Sequence, residues 1–543
     1  MFKDKVVYQI YPKSFYDSNN DGIGDIKGIT EKLDYLQFLG VDYLWLNPFF
    51  LSPQRDCGYD ISDYKTIDPQ FGSMEELEEL IEEAKKRNIY LMFDMVFNHT
   101  STEHKWFQEA LKGNEKYKNY YIFKRPKDGK EPTNWQSKFG GTAWEYVPEL
   151  GEYYLHLFDK TQADLNWKNP EVRQEMIEIA KFWIEKGVKG FRFDVINLID
   201  KMAFEDDITG DGRKFYTDGN MVHTYLKELN EKTFGKYDDM ITVGEMSSTT
   251  IENCIAYTNP KEKELHMTFN FHHLKVDYEN KQKWTLMPFD FLELKQLFHT
   301  WQVGIQEKNG WNALFWNCHD QPRSVSRFGN DTKYHEKSAK MLATAIHLQR
   351  GTPYIYQGEE IGMTNADFHH ISEYRDVESI NYFHILKEKG KSEDEIYDIL
   401  QAKSRDNART PMQWNENGGF SQGTPWIKMN DNCKFINVEQ AKQDKNSILY
   451  YYKKLIELRK QYDVISKGDY VPILEDDLQL YGFKRVYNKE EMIVINNFYE
   501  EETKTLIENI EQYEVLLSNY DSVQLQEKLL LRPYESIVLY RKK

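Results

Sequence analysis

Two rhythms of apolar residues alternate along this chain: short, nearly continuous runs, and longer stretches in which apolar positions return every three or four residues. Residues 6–11 form the first run and predict a strand, residues 29–39 have helical spacing, and residues 41–47 predict the next strand. Met74, Leu77, Leu80, Ile81 and Ala84 then make an apolar stripe in an acidic helix, and residues 89–97 follow as a strand with Asn98 and His99 at its C-terminal end. Asn169 and Pro170 predict a cap and a first helical position. Val172, Met176, Ile179, Ala180 and Trp183 line one face of that helix, Gly187 stops it, and residues 190–194 are the strand beyond. Helices over 221–229, 291–302 and 337–349 precede strands over 240–245, 313–320 and 352–357.

Parallel strands joined by crossover helices give this order, and a TIM (β/α)₈ barrel is the economical closure. Between His99 and Trp167 the periodicity gives way to Gly, Pro, Trp and Lys, which predicts a subdomain inserted after the third strand and able to wall a cleft. From about residue 466 short β-rich runs appear without helices between them, predicting a C-terminal all-β sandwich. The expected division is therefore 1–100 for the first part of the barrel, 101–168 for the insertion, 169–465 for the rest of the barrel and 466–543 for the sandwich.

Composition narrows the classes. At 543 residues the chain exceeds one ordinary core, in keeping with a large domain carrying attachments. Its net charge of −18 disfavours nucleic acid and anionic membrane surfaces as partners. With 40% hydrophobic and 29% charged residues, and no apolar run near the roughly 20 residues of a spanning helix, neither a membrane protein nor a disordered chain is expected. The N-terminus has a strand-like run where a secretory leader would need a longer apolar segment, which predicts a cytoplasmic location. Cys57, Cys254, Cys318 and Cys433 are too scattered for a disulfide framework and lack zinc-site spacing, so reduced thiols are expected. The aromatic content of 15% suits sugar stacking and suits a large core equally well.

Barrels of this kind keep their chemistry at the C-terminal ends of the strands. Three carboxylates fall there: Asp194, Glu245 and Asp320. Retaining glycoside hydrolysis needs one carboxylate as nucleophile and a second as general acid/base about 5 to 5.5 Å away, and a third could stabilise an oxocarbenium-like transition state. Taken singly, each is more readily read as a helix cap or a surface ion-pair partner, a reading that three coincidences at strand ends weaken.

The segments that hold these residues are Asp94-Met95-Val96-Phe97-Asn98-His99, Gly190-Phe191-Arg192-Phe193-Asp194, Val243-Gly244-Glu245 and Asn317-Cys318-His319-Asp320. They resemble the signature regions of the α-amylase superfamily of glycoside hydrolases, and the resemblance spans essentially the whole chain. It implies Asp194 as nucleophile, Glu245 as general acid/base and Asp320 as transition-state stabiliser, with Arg192, His99 and His319 holding the sugar being cleaved. Arg192 lies on the same strand face as Asp194, so its charge is expected to keep that carboxylate ionised, whereas Glu245 must stay protonated at neutral pH.

Gln162-Ala163-Asp164-Leu165-Asn166, Asp56-Cys57-Gly58-Tyr59-Asp60 and residues 405–414 resemble the oligo-1,6-glucosidase-like branch. That likeness implies Tyr59 stacked on the non-reducing glucose and Asp56 with Arg405 closing the pocket for exo-cleavage. It also implies Phe139 and Phe158 as aromatic walls, although core packing is the plainer reading of a lone Phe.

Asp17, Asn19, Asp21 and Asp25, with the Ile23 carbonyl, set oxygen ligands at alternate positions as a tight calcium loop requires. Gly28 stands where an EF-hand needs a bidentate Glu, so a structural ion is expected, with magnesium able to occupy the same loop. No GxxxxGK[ST] loop is present, and no organic cofactor is expected.

Substrate identity turns on residues 265–284, beginning Leu265-His266-Met267-Thr268-Phe269-Asn270-Phe271-His272-His273-Leu274-Lys275, which resemble trehalose-6-phosphate hydrolases, as do residues 213–219 and 244–249. Oligo-1,6-glucosidases carry acidic residues where His272 and Lys275 stand, a change that suits a phosphate dianion. The resemblance implies hydrolysis of trehalose 6-phosphate to glucose and glucose 6-phosphate, with His272, His273, Lys275 and Lys283 as phosphate candidates, a phosphorylated disaccharide as the small-molecule partner and no obligate protein partner. Asn220-Met221 departs from the Pro-Arg common after Asp218-Gly219, which puts a binding role for that loop in doubt. Three alternatives stay open: an oligo-1,6-glucosidase, favoured by Val195 after the nucleophile; a trehalose synthase or sucrose isomerase; and a non-catalytic partner of a transporter.

Overall fold

The computed structural model describes residues 2–208 and 210–543. Eight parallel strands form its centre: β1 (Val7–Ile10), β2 (Tyr43–Leu46), β3 (Tyr90–Met95), β4 (Gly190–Phe193), β5 (Ile241–Glu245), β6 (Met267–Phe269), β7 (Ala313–Leu314) and β8 (Thr352–Tyr356). They run side by side in the order β6-β5-β4-β3-β2-β1-β8-β7. A parallel bridge between Thr268 and Asn312 brings the two ends together, so the sheet is a near-closed barrel. Buried residues fill β1, β2, β4, β5 and β8 along their whole length, as expected of strands covered on both faces.

Local chemistry sets the surrounding helices. Met74–Lys86 starts at a reciprocal capping box between Ser73 and Glu76, with Glu75 and Glu76 in its first turn and Lys85 and Lys86 in its last, and it buries Leu77, Leu80, Ile81 and Ala84. Pro170–Glu185 is capped by Asn169, whose side chain accepts from the Glu171 N–H at 2.9 Å. The single helix expected over 29–39 is two, Ile26–Glu31 and Leu33–Leu39, separated by Lys32.

Two further expectations change. The strand expected over 313–320 ends at Leu314, so Asp320 stands on the loop beyond β7. The three-residue β6 lies inside the segment that had been read only for its chemistry.

After β3 the inserted region folds on itself. His99–Ser101 pairs with Gln162–Asp164, and Phe123–Lys124, Glu152–Leu155 and Trp144–Val147 make a small antiparallel sheet. Its apolar core of Ile122, Trp135, Trp144, Leu155 and Leu157 also takes in Val195, Leu198 and Tyr216 from the loop after β4, which fixes the insertion over that side of the barrel mouth. The C-terminal region has a five-stranded antiparallel sheet faced by the pair Thr503–Leu506 and Lys528–Leu531, with Ile493, Ile495, Ile537 and Leu539 packed against Ile507, Leu529 and Leu531. No helix among the described residues is long and apolar enough to cross a membrane. All four cysteines are free thiols.

Candidate active site

Alternation along β4 points Arg192 and, just past the strand end, Asp194 to the same side of the barrel mouth. Arg192 is 2% exposed and spends its guanidinium on three carboxylates. Its Nη1 donates to Asp194 Oδ1 at 2.6 Å and to Asp94 Oδ1 at 2.7 Å, and its Nη2 donates to Glu245 at the end of β5. Arg192 therefore sits beneath the carboxylates, its guanidinium bonded to all three.

Burial is the largest influence on Glu245; the charges of Asp194 and Asp320 add to it against the pull of Arg192, and its carboxyl is pushed up to about 8. Burial and Asp94 also raise Asp194, with Arg192 opposing. Glu245 and Asp194 share a hydrogen bond, and the proton of the pair resides on Glu245. One acid and one carboxylate in contact is the division of roles that a retaining glycosidase uses.

Across the cavity Asp320 is treated differently. Burial would raise it, but its contacts with His319 Nε2 at 3.0 Å, Arg405 Nη1 at 3.2 Å and Arg409 Nη2 at 3.3 Å hold it well below the usual carboxylate range. Gln9 on β1 donates through Nε2 to His319 Nδ1 at 2.9 Å, leaving the His319 proton on Nε2 toward Asp320.

One end of the cavity is closed by paired charges. Arg405 Nη2 donates to Asp56 Oδ1 at 3.1 Å, and Gln162 Nε2 donates to Asp56 Oδ2 at 3.1 Å. The Tyr59 ring stacks on His319 with 5.1 Å between centroids and 6° between planes, and its hydroxyl donates to Asp94 Oδ2 at 2.8 Å. His99, lowered to about 4 by burial, donates to the Tyr59 carbonyl at 3.2 Å as a neutral imidazole. Phe139 lies 4.9 Å from the Arg405 guanidinium and Phe158 is 5.3 Å from the His99 ring. Asp56, Tyr59, His99, Phe139, Phe158, Asp194, Glu245, His319, Asp320 and Arg405 all face one cavity of about 1010 Å³, room enough for a disaccharide.

The four phosphate candidates separate. His272, stacked on Trp301 at 4.9 Å, faces the cavity, and so do Lys275 and Lys283. His273 does not: its Nε2 donates to the Phe315 carbonyl at 2.9 Å and its ring is buried against Phe298, Phe315 and Trp316, so that candidate is withdrawn. The Lys283 charge is balanced by Glu378 at 2.6 Å, while the Lys275 ammonium has no hydrogen-bond or ion-pair partner among the described residues. Asp94, Gln162 and Arg409 carry no expected role, although all three lie within the motifs around Asn98, Asp164 and Arg405. Nothing in the aperiodic insertion marked Lys138, which also faces the cavity.

In the loop expected to hold a cation, Asp17 Oδ1 accepts from the Asn19 and Asn20 N–H groups at 3.1 and 2.7 Å, Asn19 Oδ1 from Asp21 at 2.9 Å and Asp21 Oδ1 from Ile23 at 2.8 Å. Asp25 caps the helix Ile26–Glu31 through the Gly28 N–H at 2.6 Å and also accepts from Ser18. The all-oxygen donor set has the chemistry of a hard-cation site, with Asp25 shared between that role and the cap. Cys318, His319 and Asp320 also bring possible ligand atoms within 4.8 Å of one another, but Arg405 and Arg409 beside Asp320 oppose a cation there.

Comparison with known proteins agrees with this geometry. Residues 9–468 match the family described as alpha amylase, catalytic domain, and residues 480–538 match the alpha-amylase SusG C-terminal domain. The chain is 57% identical to trehalose-6-phosphate hydrolase of Bacillus subtilis (strain 168), over 99% of this chain and 97% of that one. It is 50% identical to oligo-1,6-glucosidase of Parageobacillus thermoglucosidasius, over 99% of this chain and 98% of that one. A crystal structure of Bacillus licheniformis trehalose-6-phosphate hydrolase superimposes with a TM-score of 0.96 at 58% identity, covering 100% of both chains. The chain belongs to the alpha-amylase family of glycoside hydrolases.

Proposed function

We propose that this protein is a retaining α-glucosidase that hydrolyses trehalose 6-phosphate to glucose and glucose 6-phosphate. The observation that carries the reading is a single cavity with two unlike ends. Asp56, Arg405 and Tyr59 close one end around a plain glucose, and the Lys275 ammonium, with no acidic partner among the described residues, makes the other end basic in a chain of net charge −18. Asp194 attacks the anomeric carbon of the unmodified glucose while Glu245 gives its proton to the bridging oxygen, and glucose 6-phosphate leaves. Glu245, now a carboxylate, takes a proton from water as that water opens the glucosyl ester on Asp194, and glucose departs with retained configuration. Asp320, kept ionised by His319, Arg405 and Arg409, faces the positive charge that grows on the sugar ring.

Similarity to the trehalose-6-phosphate hydrolase of Bacillus subtilis supports this substrate. Similarity to an oligo-1,6-glucosidase supports the second reading, isomaltose cleavage in the same glucose pocket, and the uncompensated Lys275 charge favours the phosphorylated sugar over it. The reading includes a cytoplasmic enzyme, where a phosphorylated sugar is to be found, and a structural calcium ion in the loop of Asp17, Asn19, Asp21, Ile23 and Asp25. Incubating the pure protein with trehalose 6-phosphate, trehalose and isomaltose, and following glucose and glucose 6-phosphate, tests the proposal. Equimolar release of the two products from the phosphorylated sugar is expected; faster turnover of isomaltose would overturn it.

A further inference from the structure

One wall of the cavity is the helix Val377–Glu388, in the long connection after β8, which presents Glu378, Tyr382 and Leu386. Its cap is Asp376, fully buried. Oδ1 of that carboxylate accepts from the Glu378 N–H at 3.1 Å, and Oδ2 accepts from the Ser379 N–H at 3.1 Å and the Ser379 hydroxyl at 2.6 Å. A cap needs a side-chain oxygen and no charge, so Asn or Ser would serve equally well. Here the carboxylate has a second occupation: Oδ1 also accepts from Arg405, through Nε at 2.9 Å and through Nη2 at 2.6 Å.

The contact is reciprocal. Asp406, the next residue after Arg405, accepts through Oδ2 from the Arg375 and Asp376 N–H groups at 2.7 and 2.9 Å, and the Ser379 and Ser404 hydroxyls share a hydrogen bond at 2.7 Å. Residues 375–379 are thereby docked on residues 404–406 from both sides. With one edge of the Arg405 fork taken by Asp376, its remaining reaches are set, Nη2 to Asp56 at 3.1 Å and Nη1 to Asp320 at 3.2 Å. A planar guanidinium fixed along one edge can present its other N–H groups in one direction only. Burial would raise the Asp376 carboxyl, but Arg405 and Arg409 hold it well below the usual carboxylate range, so this edge is a charge-assisted one at neutral pH. The capped helix also meets the other walls of the cavity. Asn381 Nδ2 donates to the Phe139 carbonyl at 3.3 Å, and the Tyr382 ring stacks on Trp284 at 4.9 Å.

We propose that Asp376 is the positioning residue of the closed end of the cavity: it locks Arg405 in the orientation that joins Asp56 to Asp320, and its cap ties that orientation to the wall formed by Val377–Glu388. The inference rests on the α-glucosidase reading and is independent of which sugar leaves. Asp376 itself faces no substrate. It acts through Arg405, which meets the transition-state stabiliser Asp320 on one side and the glucose pocket on the other.

The test compares wild type, Asp376→Asn, Asp376→Ser, Arg405→Leu and the double variant Asp376→Asn/Arg405→Leu on p-nitrophenyl α-glucoside. Asn and Ser both keep a capping oxygen, so cooperative thermal unfolding and a wild-type circular dichroism spectrum are expected for these two. Asn removes the charge and Ser is too short to reach Arg405, so either variant carries the comparison. In each, kcat/KM is expected to fall about 10- to 100-fold, the effect of losing one charge-assisted hydrogen bond, and the constant for inhibition by glucose should rise in parallel. Because Asp376 acts through Arg405, the double variant should lose no more than Arg405→Leu alone. Losses that multiply in the double variant, or wild-type kcat/KM and glucose inhibition in Asp376→Asn and Asp376→Ser, overturn the assignment and leave the glucosidase reading intact. A wild type that does not cleave the glucoside overturns that reading and the assignment with it.

Discussion

Glu245 shares its hydrogen-bonding space with both Arg192 and Asp194, and its carboxyl is pushed up to about 8 chiefly by burial. Two outcomes follow at the scale of this residue. The alkaline limb of the kcat/KM profile should fall with an apparent midpoint near 8, because the acid that serves the leaving group is lost there; Glu245→Gln and Asp194→Asn should each reduce turnover by several orders of magnitude. A side chain whose folded carboxyl is raised favours folding at acid pH and progressively disfavours it as pH climbs from the unfolded value through about 8. Glu245→Gln should therefore melt above wild type at pH 9, with the gap closing toward pH 5; thermal melts that coincide at pH 9 would sink this idea. Gln9 belongs to the same scale. Gln9→Leu frees His319 Nδ1 and should lower kcat on p-nitrophenyl α-glucoside about tenfold or more with a smaller change in KM. The three acidic residues were legible in the sequence because each lies in a quoted motif. The burial of Arg192 beneath them was not, since alternation along a strand tells which side a residue takes and not how deep it lies.

Among the elements, legibility followed length and regularity. Pro170–Glu185, with Asn169, Pro170 and Gly187 at its borders, could be drawn from the sequence nearly residue by residue. β6 and β7, with three and two residues, are too short to show a period, and the latter was overextended to Asp320 because the apolar run continues through Phe315 and Trp316 into the loop. Helices Val377–Glu388 and Glu393–Lys403, in the long connection after β8, were not foreseen, although the first holds Glu378 against Lys283. Likewise His273 and His272 are neighbours of one type in one short helical turn, and only the fold sends one into the apolar layer and the other to the cavity. The loop that ends in Arg213 gives an element-scale prediction. Gly212→Ala should destabilise the protein by about 1–3 kcal/mol in urea unfolding, because the left-handed backbone and the Trp135 ring both exclude a Cβ. A variant with unaltered stability would contradict this close approach of Trp135 to Gly212.

For the whole molecule, the global charge of −18 and the basic rim of one cavity are opposite in sign, and composition reports only the first. The C-terminal region is tied to the barrel by buried cations: Lys295 Nζ donates to the Leu474 carbonyl at 2.9 Å, and Arg485 Nη1 donates to the Leu348 carbonyl at 2.7 Å. The loop of Asp17, Asn19, Asp21, Ile23 and Asp25 acts at this scale too. It caps the helix Ile26–Glu31 and holds Ser421 through Asp17 at 2.5 Å, joining segments some 400 residues apart. Removing calcium with a chelator should lower the melting temperature by several degrees, with recovery on adding the ion back; an unchanged melt would argue against a resident cation. The pairing of Val7 with Tyr354 carries one more consequence. Strand β1 finds its second neighbour only when about 350 more residues have been made, which at ~5–20 residues per second leaves one flank of the nascent strand bare on the ribosome for roughly 20 to 70 s. A partly made chain of this kind is open to misdirected pairing throughout that wait.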